Sequence, residues 1–359
     1  MKKVYVYAIC KNEEKHIKRW VESMKEADSI YVLDTGSTDN SVNLLKELGV
    51  NVTVKNYEHF KFDEARNDSL NLVPDEDSIC VCTDIDEVFD KGWRKILDSI
   101  WEEDTKRVRY NMNFSFDEEG NPVSTYYISK IHTRNDYVWK HSIHEVIAYI
   151  GKEPEKVITT DLFNINHHPD REKKRDFYLD LLEEEVKKYS EDDRNMHYLG
   201  REYMYKGRWN EAIDTLIRHL NLKSSTWDEE RGASMRYISR CYKALNRYDE
   251  AEVWLTKAIK ETPGVREPYV EMGMLYYEKK DYFKSIEYLL KAKLIKDRSP
   301  KYINEEFAWN ETICDLLSLD FYYLGAKEEA IFYAKEALKI NNKNERIMNN
   351  LVFYEKMDK

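Results

Sequence analysis

Residues 79–87 read Ile-Cys-Val-Cys-Thr-Asp-Ile-Asp-Glu, an apolar run that ends in Asp84-x-Asp86. The run predicts a buried strand. Strand side chains repeat with period two, so the two carboxylates are expected to point the same way at its tip. Converging oxygen ligands can hold a hard cation, which in turn can hold phosphate oxygens. An isolated Asp-x-Asp is more commonly a solvated turn. A second acidic turn, Asp34-Thr35-Gly36-Ser37-Thr38-Asp39, falls where a predicted strand becomes a helix. Gly36 permits a tight turn there, and Ser37, Thr38 and Asp39 can cap the helix. Read as chemistry instead, Asp34 at a strand end accepts hydrogen bonds from a nucleotide base or ribose. The GxGxxG and GxxxxGK[ST] phosphate loops are both absent, which counts against NAD and P-loop chemistry.

The elements that must position these residues alternate strand and helix over 1–100. Strands are expected at 4–9, 29–33, 52–55 and 79–83, with helices at 13–25, 41–48 and 63–73. That order predicts an α/β domain with a mostly parallel sheet. Ligands bind such sheets beyond the carboxyl ends of the strands, where Asp34, Asp84 and Asp86 fall. The runs 107–116 and 125–131 alternate like antiparallel strands, with a turn at 117–122.

From about Arg171 the chain reads as all helix, and it repeats itself. Gly200-x-x-Tyr203 is followed by Ala212, Ser239-x-x-Tyr242 by Ala251, Gly273-x-x-Tyr276 by Ser285, and Ser318-x-x-Phe321 by Ala330. Small residues let paired helices approach, and the aromatic fills the gap between them. This is the tetratricopeptide pattern over about 194–340, closed by a capping helix at 345–357. The anchors 212, 251, 285 and 330 are spaced by 39, 34 and 45 residues, so two inter-repeat loops are expected to be long. The domain division is 1–170, a linker helix at 171–193, and repeats over 194–359.

Bulk composition narrows the function. The 359 residues are 42% hydrophobic and 35% charged, a real core under a charged surface. A net charge of −11 argues against a general nucleic-acid binder. Five scattered cysteines suggest reduced core thiols in a cytoplasmic protein, and Cys80-x-Cys82 has the spacing of one strand face rather than a zinc knuckle. No signal peptide or membrane-spanning apolar stretch is expected.

Four motifs in order resemble those of family-two glycosyltransferases with the GT-A fold: Ala8-Ile9-Cys10-Lys11-Asn12-Glu13-Glu14, Val32-Leu33-Asp34-Thr35-Gly36-Ser37-Thr38-Asp39, Phe62-x-x-Ala65-Arg66-Asn67 and Asp84-Ile85-Asp86-Glu87. The resemblance spans about residues 1–170. With a helical-repeat C-terminus, the chain is similar to the sublancin-type peptide S-glycosyltransferases. The resemblance implies that Ala8, Asp34, Arg66 and Asp84 hold the uridine of a UDP-sugar donor and that Asp86 binds a divalent metal, Mn2+ or Mg2+, on the diphosphate. Arg66 has a plainer reading as a surface helix charge, and Asn67 as a cap or backbone bridge. The family places an acidic base after the central antiparallel strands. Here Trp139-Lys140-His141-Ser142-Ile143-His144-Glu145 stands there, which makes Glu145 the candidate base and His144 a donor-sugar or diphosphate contact. The common form carries Glu-Asp, whereas this chain has His-Glu, as does the peptide-glycosylating subgroup. A late histidine often joins the metal; by position His167 matches best and His168 next. Trp139 either stacks on a sugar ring or is buried. The turn around Gly120 and the segment 168–171 are candidate loops to close over the donor.

These readings converge on an inverting, metal-dependent transferase that moves a sugar from a UDP-sugar to a peptide or protein positioned by the repeats. A saccharide acceptor, or a repeat scaffold with an inactive transferase domain, are the alternatives. Homodimerisation through the repeats is compatible with either.

Overall fold

The computed structural model describes residues 2–74, 77–116, 120, 122–169, 178–299 and 301–356. Residues 117–119 and 121 of the expected turn, the end of the candidate closing segment 168–171 and the start of the expected linker helix lie outside them. The chain divides into two compact units, 1–181 and 182–359.

The first unit opens with β1 (Lys3–Cys10), α1 (Glu14–Met24), β2 (Ser29–Asp34), α2 (Ser41–Glu47), β3 (Asn51–Val54), α3 (Phe62–Leu70) and β4 (Ser78–Cys82). Strand β1 pairs in parallel with β2 and β4, and β2 with β3. Five elements had no counterpart in the sequence reading: β5 (Glu87–Phe89), α4 (Trp93–Ile100) and, later, β8, β9 and β10. The long hairpin strands β6 (Arg107–Phe116) and β7 (Pro122–Thr133) follow, then a small separate hairpin of β8 (Tyr137–Lys140) and β9 (Val146–Tyr149), and finally β10 (Val157–His167). The main sheet runs β3-β2-β1-β4-β7-β6-β10-β5. Its first four strands are parallel. Strand β7 joins antiparallel to β4 and β6, β10 is parallel to β6, and β5 closes the edge antiparallel to β10, so the sheet is mixed.

Alternation along the strands builds two cores. Val4, Val6, Ala8, Ile79 and Val81 face α1 and α4 with Ile17, Trp20, Trp93 and Leu97. Tyr5, Tyr7, Cys80 and Cys82 face the other way, toward Leu70 at the end of α3 and Tyr137, Trp139 and Ile147 of the small hairpin. All five cysteines are buried and free, and the Cys80/Cys82 pair is one face of a strand.

The second unit contains α5 (Tyr178–Lys188), most of which lies past the division, then four helix pairs: α6 (Asp193–Tyr205) with α7 (Trp209–Asn221), α8 (Asp228–Ala244) with α9 (Tyr248–Glu261), α10 (Glu267–Glu278) with α11 (Tyr282–Leu294), and α12 (Thr312–Tyr323) with α13 (Lys327–Ile340). Helix α14 (Glu345–Lys356) caps the stack, burying Ile347 and Tyr354 against Ala330, Ala334 and Ala337. The anchors Ala212, Ala251, Ser285 and Ala330 are fully buried. One of the two extended spacings falls between α11 and α12, where the described residues include a short 3-10 helix, Glu306–Ala308. The other arises differently from the expectation: α8 itself is longer, 17 residues against 12 or 13 for the corresponding helices. No helix among the described residues is long and apolar enough to cross a membrane.

Close helix approach makes a test. A Cβ at Gly273 would sit 2.7 Å from Leu289 Cγ and Cδ2. Overpacking costs about 1–3 kcal/mol, whereas alanine gains about 1 kcal/mol over glycine in a helix. Gly273→Ala is therefore expected to lower the melting temperature, and adding Leu289→Val should restore part of the loss. A raised melting temperature for the single variant would show that the two helices are not in tight contact there.

Candidate functional site

The carboxyl ends of β1, β2 and β4 lie along one edge of the sheet, and the first two motifs lock together there. Asn12, with a left-handed φ of 54°, turns its side-chain oxygen to the Thr38 N–H at 2.7 Å, and its own N–H donates to Ser37 Oγ at 2.8 Å. Asparagine tolerates this backbone region better than most residues. Asp34 is completely buried. Its Oδ1 accepts the N–H groups of Gly36 and Ser37 at 3.0 and 2.9 Å, and Oδ2 accepts the Ser37 hydroxyl. Asp34 thus serves its own turn and presents no surface to solvent. Gly36, at φ 101°, allows that turn, and a Cβ there would collide with Asn56 Oδ1 at 2.6 Å. Ser37 and Thr38 brace the motif rather than cap α2; Asp39 Oδ1 instead accepts the Ser41 N–H at 3.0 Å. Ala8 lies in the core with its side chain buried, so only its backbone can meet a ligand.

The third and fourth motifs meet through Arg66, which is 3% exposed. The sequence left it open as a surface charge; the fold buries it. Its Nη2 pairs with Asp84 Oδ1, its Nε donates to Glu145 Oε1 at 3.0 Å, and its Nη1 donates to Cys82 Sγ at 3.4 Å. The guanidinium also lies over the Trp139 ring, 5.4 Å from its centroid. Burial opposes the arginine's charge, but Asp84, Cys82 and Glu145 outweigh it and hold its pKa well above the ordinary value. Asn67 bridges backbone: its amide donates to Trp139 O and its oxygen accepts Trp139 N–H, both at 2.9 Å. This clamps β8 to α3. Trp139 is buried and donates to Tyr7 OH at 2.9 Å, so it is a packing residue and not a sugar platform.

Asp84 and Asp86 do not converge as a strand pair would. Strand β4 ends at Cys82, and the two acids sit in the turn beyond it. Asp84 faces Arg66 and also Lys130 Nζ at 3.1 Å. Asp86 faces His167, whose Nε2 is 3.4 Å from Asp86 Oδ2. Of the two late histidines, only His167 brings its ring to Asp86. His168 gives its backbone N–H to Asp86 O at 2.8 Å, and its ring stacks on Phe116. The His167 ring stacks on Phe114. Burial disfavours the charged imidazole, yet Asp86 and Glu87 outweigh it and raise the His167 pKa. A carboxylate oxygen and an imidazole nitrogen at this separation suit adjacent positions on a divalent cation, since bonds of roughly 2.1 Å at right angles put ligands roughly 3 Å apart.

Two residues here carried no assigned role in the sequence reading. Lys130, on β7, reaches both Asp84 and, at 2.9 Å, Glu87 Oε1. Glu87 is almost fully buried and accepts the Asp84 N–H at 2.9 Å. A lysine inside an apolar strand run was the available signal. Arg66 and Lys130 therefore face three carboxylates, Asp84, Glu87 and Glu145. Burial pushes Asp84 up, but Arg66 and Lys130 outweigh it and hold its pKa far below the usual carboxylate range. Burial, reinforced by Asp84 and only partly offset by Lys130, pushes the Glu87 carboxyl up to about 7. Of Asp84 and Glu87, Glu87 takes up a proton first.

Glu145 does not open a helix; it ends the loop between β8 and β9. Ser142 and Ile143 are buried, and Ser142 O accepts the Phe62 N–H at 2.9 Å, which ties the loop to the start of α3. His141 and His144 flank this anchor with left-handed φ values of 75° and 51°. Non-glycine residues held in this region store strain, a feature concentrated at functional sites.

In the second unit, a cavity of about 330 Å³ is lined by Arg240, Lys243, Leu255, Met274 and Phe307, among others. Its wall is held by Arg236 and Arg240, which share Glu271 and Glu305.

Residues 5–151 match Glycosyl transferase family 2, so the chain carries a domain of that family, followed by tetratricopeptide repeats matched at 196–230 and 238–264. Residues 266–359 match the prolyl 4-hydroxylase peptide-substrate-binding domain, itself a tetratricopeptide family. An uncharacterized glycosyltransferase of Rickettsia typhi is 45% identical over 56 residues, which cover 15% of this chain and 19% of that protein. The chain thus aligns with about a fifth of the length of that curated relative. Among solved structures, MamA is similar at 20% identity and a TM-score of 0.37, covering 47% of this chain and 83% of that one. The PilF protein of Pseudomonas aeruginosa is similar at 12% identity and a TM-score of 0.39, covering 48% and 72%.

Two measurements test the charge cluster. Removing one partner of a buried ion pair costs about 3–5 kcal/mol, and the partial exposure of Asp84 favours the lower end. Arg66→Met is thus expected to destabilise the first unit by about 3 kcal/mol in denaturant titration; a loss below about 1 kcal/mol would exclude the buried network. Glu87 has a raised folded-state pKa, so its stabilising contribution is complete below 4.5 and is lost as the pH rises toward about 7. Glu87→Gln should remove that loss, and the stability difference between variant and wild type should grow in the variant's favour across this window. A difference that does not change with pH would rule out the shift.

Proposed function

We propose that the chain is an inverting glycosyltransferase that moves a sugar from a UDP-sugar to a peptide or protein acceptor presented by its repeats. The observation that carries this reading is the buried Arg66, which joins Asp84 from the β4 tip to Glu145 from the β8–β9 loop, beside the Asp86–His167 pair. Three separated motifs of the family meet there through one guanidinium.

In this reading Asp84, itself 38% exposed, addresses the ribose, while Ala8 through its backbone and Asp34 through the turn it holds shape the uridine side. Arg66 fixes Glu145 by one oxygen, Oε1. The other, Oε2, has no partner among the described residues and is the one that takes the acceptor proton. The acceptor atom attacks the anomeric carbon from the face opposite UDP, the bond to UDP breaks, and the proton passes to Glu145. His144, beside the base, contacts the donor sugar or diphosphate. A divalent cation, Mn2+ or Mg2+, fits between Asp86 and His167 and would neutralise charge on the departing diphosphate. A thiol acceptor would ask least of the base, because cysteine ionises more readily than serine. The family match over 266–359 and the cavity beside Phe307 support a polypeptide acceptor. Five buried free thiols support a cytoplasmic setting.

UDP release from a panel of UDP-sugars in Mn2+ tests the reading. Wild type should turn over at least one donor, and Asp86→Ala should lower the rate by at least about a hundredfold. Turnover of no donor would instead favour a scaffold with an inactive transferase domain. Glu145→Gln keeps the shape of the Arg66 contact and should abolish transfer while leaving UDP affinity near wild type; retained transfer would remove Glu145 from the role.

A further inference from the structure

The second unit holds a polar cluster that the transferase chemistry does not use. Asp193 opens α6, His219 lies in the last turn of α7, and Glu230 lies in the first turn of α8. The chain thus brings three metal-ligating side chains to one end of neighbouring helices, and their ligand atoms all lie within 4.8 Å of one another. His219 is fully buried, Glu230 is 4% exposed, and His219 Nε2 is 3.4 Å from Glu230 Oε1. Among the described residues, no lysine or arginine forms an ion pair with Asp193 or Glu230. Two carboxylates facing one imidazole make a site that favours an added positive charge.

The ring on the far side of His219 is braced. Its Nδ1 is 3.0 Å from Ser234 Oγ, which is 2.7 Å from His197 Nδ1, and His197 Nε2 is 2.9 Å from Tyr302 OH. Ser234 has one proton and two rings to serve, so one ring must donate to it. When His219 donates from Nδ1, its Nε2 keeps a lone pair aimed at Glu230 and at Ser225 Oγ, 3.1 Å away. A hydrogen-bonded Nδ1–H with a free Nε2 is how metal-bound histidines are held. In the other orientation Nε2 carries the proton, which neutralises neither carboxylate.

We propose that Asp193, His219 and Glu230 bind a divalent transition-metal ion that ties α6, α7 and α8 together. One imidazole and two carboxylates form a ligand set that zinc accepts, with water or Ser225 Oγ in the fourth position. Zinc bonds of about 2.0–2.1 Å place tetrahedral ligands roughly 3.3 Å apart. His219 and Glu230 already meet this spacing, and Asp193, at the helix start and only half-buried, is the ligand that moves in.

The test uses the full chain carrying Asp86→Ala, which removes the cation site of the first unit. After chelator treatment and dialysis against Zn2+, metal content and melting temperature are measured. One equivalent of zinc and a higher melting temperature with zinc are expected. Glu230→Gln and Asp193→Asn, each nearly isosteric, should weaken zinc binding at least about tenfold and abolish the melting shift. A chain that retains no zinc, or variants that bind it as wild type does, would overturn the site. If Glu230→Gln fails to fold by circular dichroism, Asp193→Asn at its half-buried position gives the decisive reading.

Discussion

A single buried guanidinium organises the first unit. Arg66 comes from a short helix whose neighbours would allow it to be a solvated charge, yet it lies almost wholly inside the protein. A charge in that position persists only if it is paired and hydrogen-bonded. Asp84, Glu145 and the Cys82 sulfur meet three of its nitrogens. Those partners come from the end of a central strand and from a loop about eighty positions down the chain, so Arg66 couples the strand tip to the loop that carries the candidate base. The Asn67–Trp139 clamp one residue on holds the hairpin behind that loop against the same helix.

The rest of the site follows from how charge is shared around this arginine. Two cations answer three carboxylates, and the imbalance falls on Glu87, the most buried of the three. Lys130 completes the ring from the antiparallel half of the sheet. Asp86 lies outside it and turns to His167, which is carried by the last strand of the domain. Acids two positions apart thus do different work: one sits in an ion-pair network, and the other faces an imidazole.

The repeats obey a simpler constraint. Glycine, alanine and serine at the helix contacts set how near each pair can come, and aromatic side chains fill what remains. Several buried polar groups find partners on neighbouring helices, as in the Arg236–Glu271–Glu305 group and the His197–Ser234–His219 chain.

Much of this was legible in the chain itself. Short apolar runs located the first four strands and alternation the β6–β7 hairpin, because both patterns are written locally. The repeat anchors were readable because each unit buries the same small residue against the same neighbour. The strand tips carrying Asp34 and Asp84 followed from the order of elements. What tertiary structure alone decided depended on distant contacts. Whether Arg66 is buried, whether Asp84 and Asp86 share a ligand, and which histidine reaches Asp86 are set by pairing between β10 and β5 and between β7 and β4. Neither β5 nor β10 was foreseen, since an edge strand of three residues and a strand broken by a bulge carry little local periodicity. The roles of Lys130 and Glu87 went unassigned for a related reason: a charged side chain, even one inside an apolar run, gives no sign in sequence of the partner that lets it be buried. Sequence specified which residues could do chemistry, and only the packing of remote strands determined which of them meet, because the energy of a buried charge depends on partners that local order does not name.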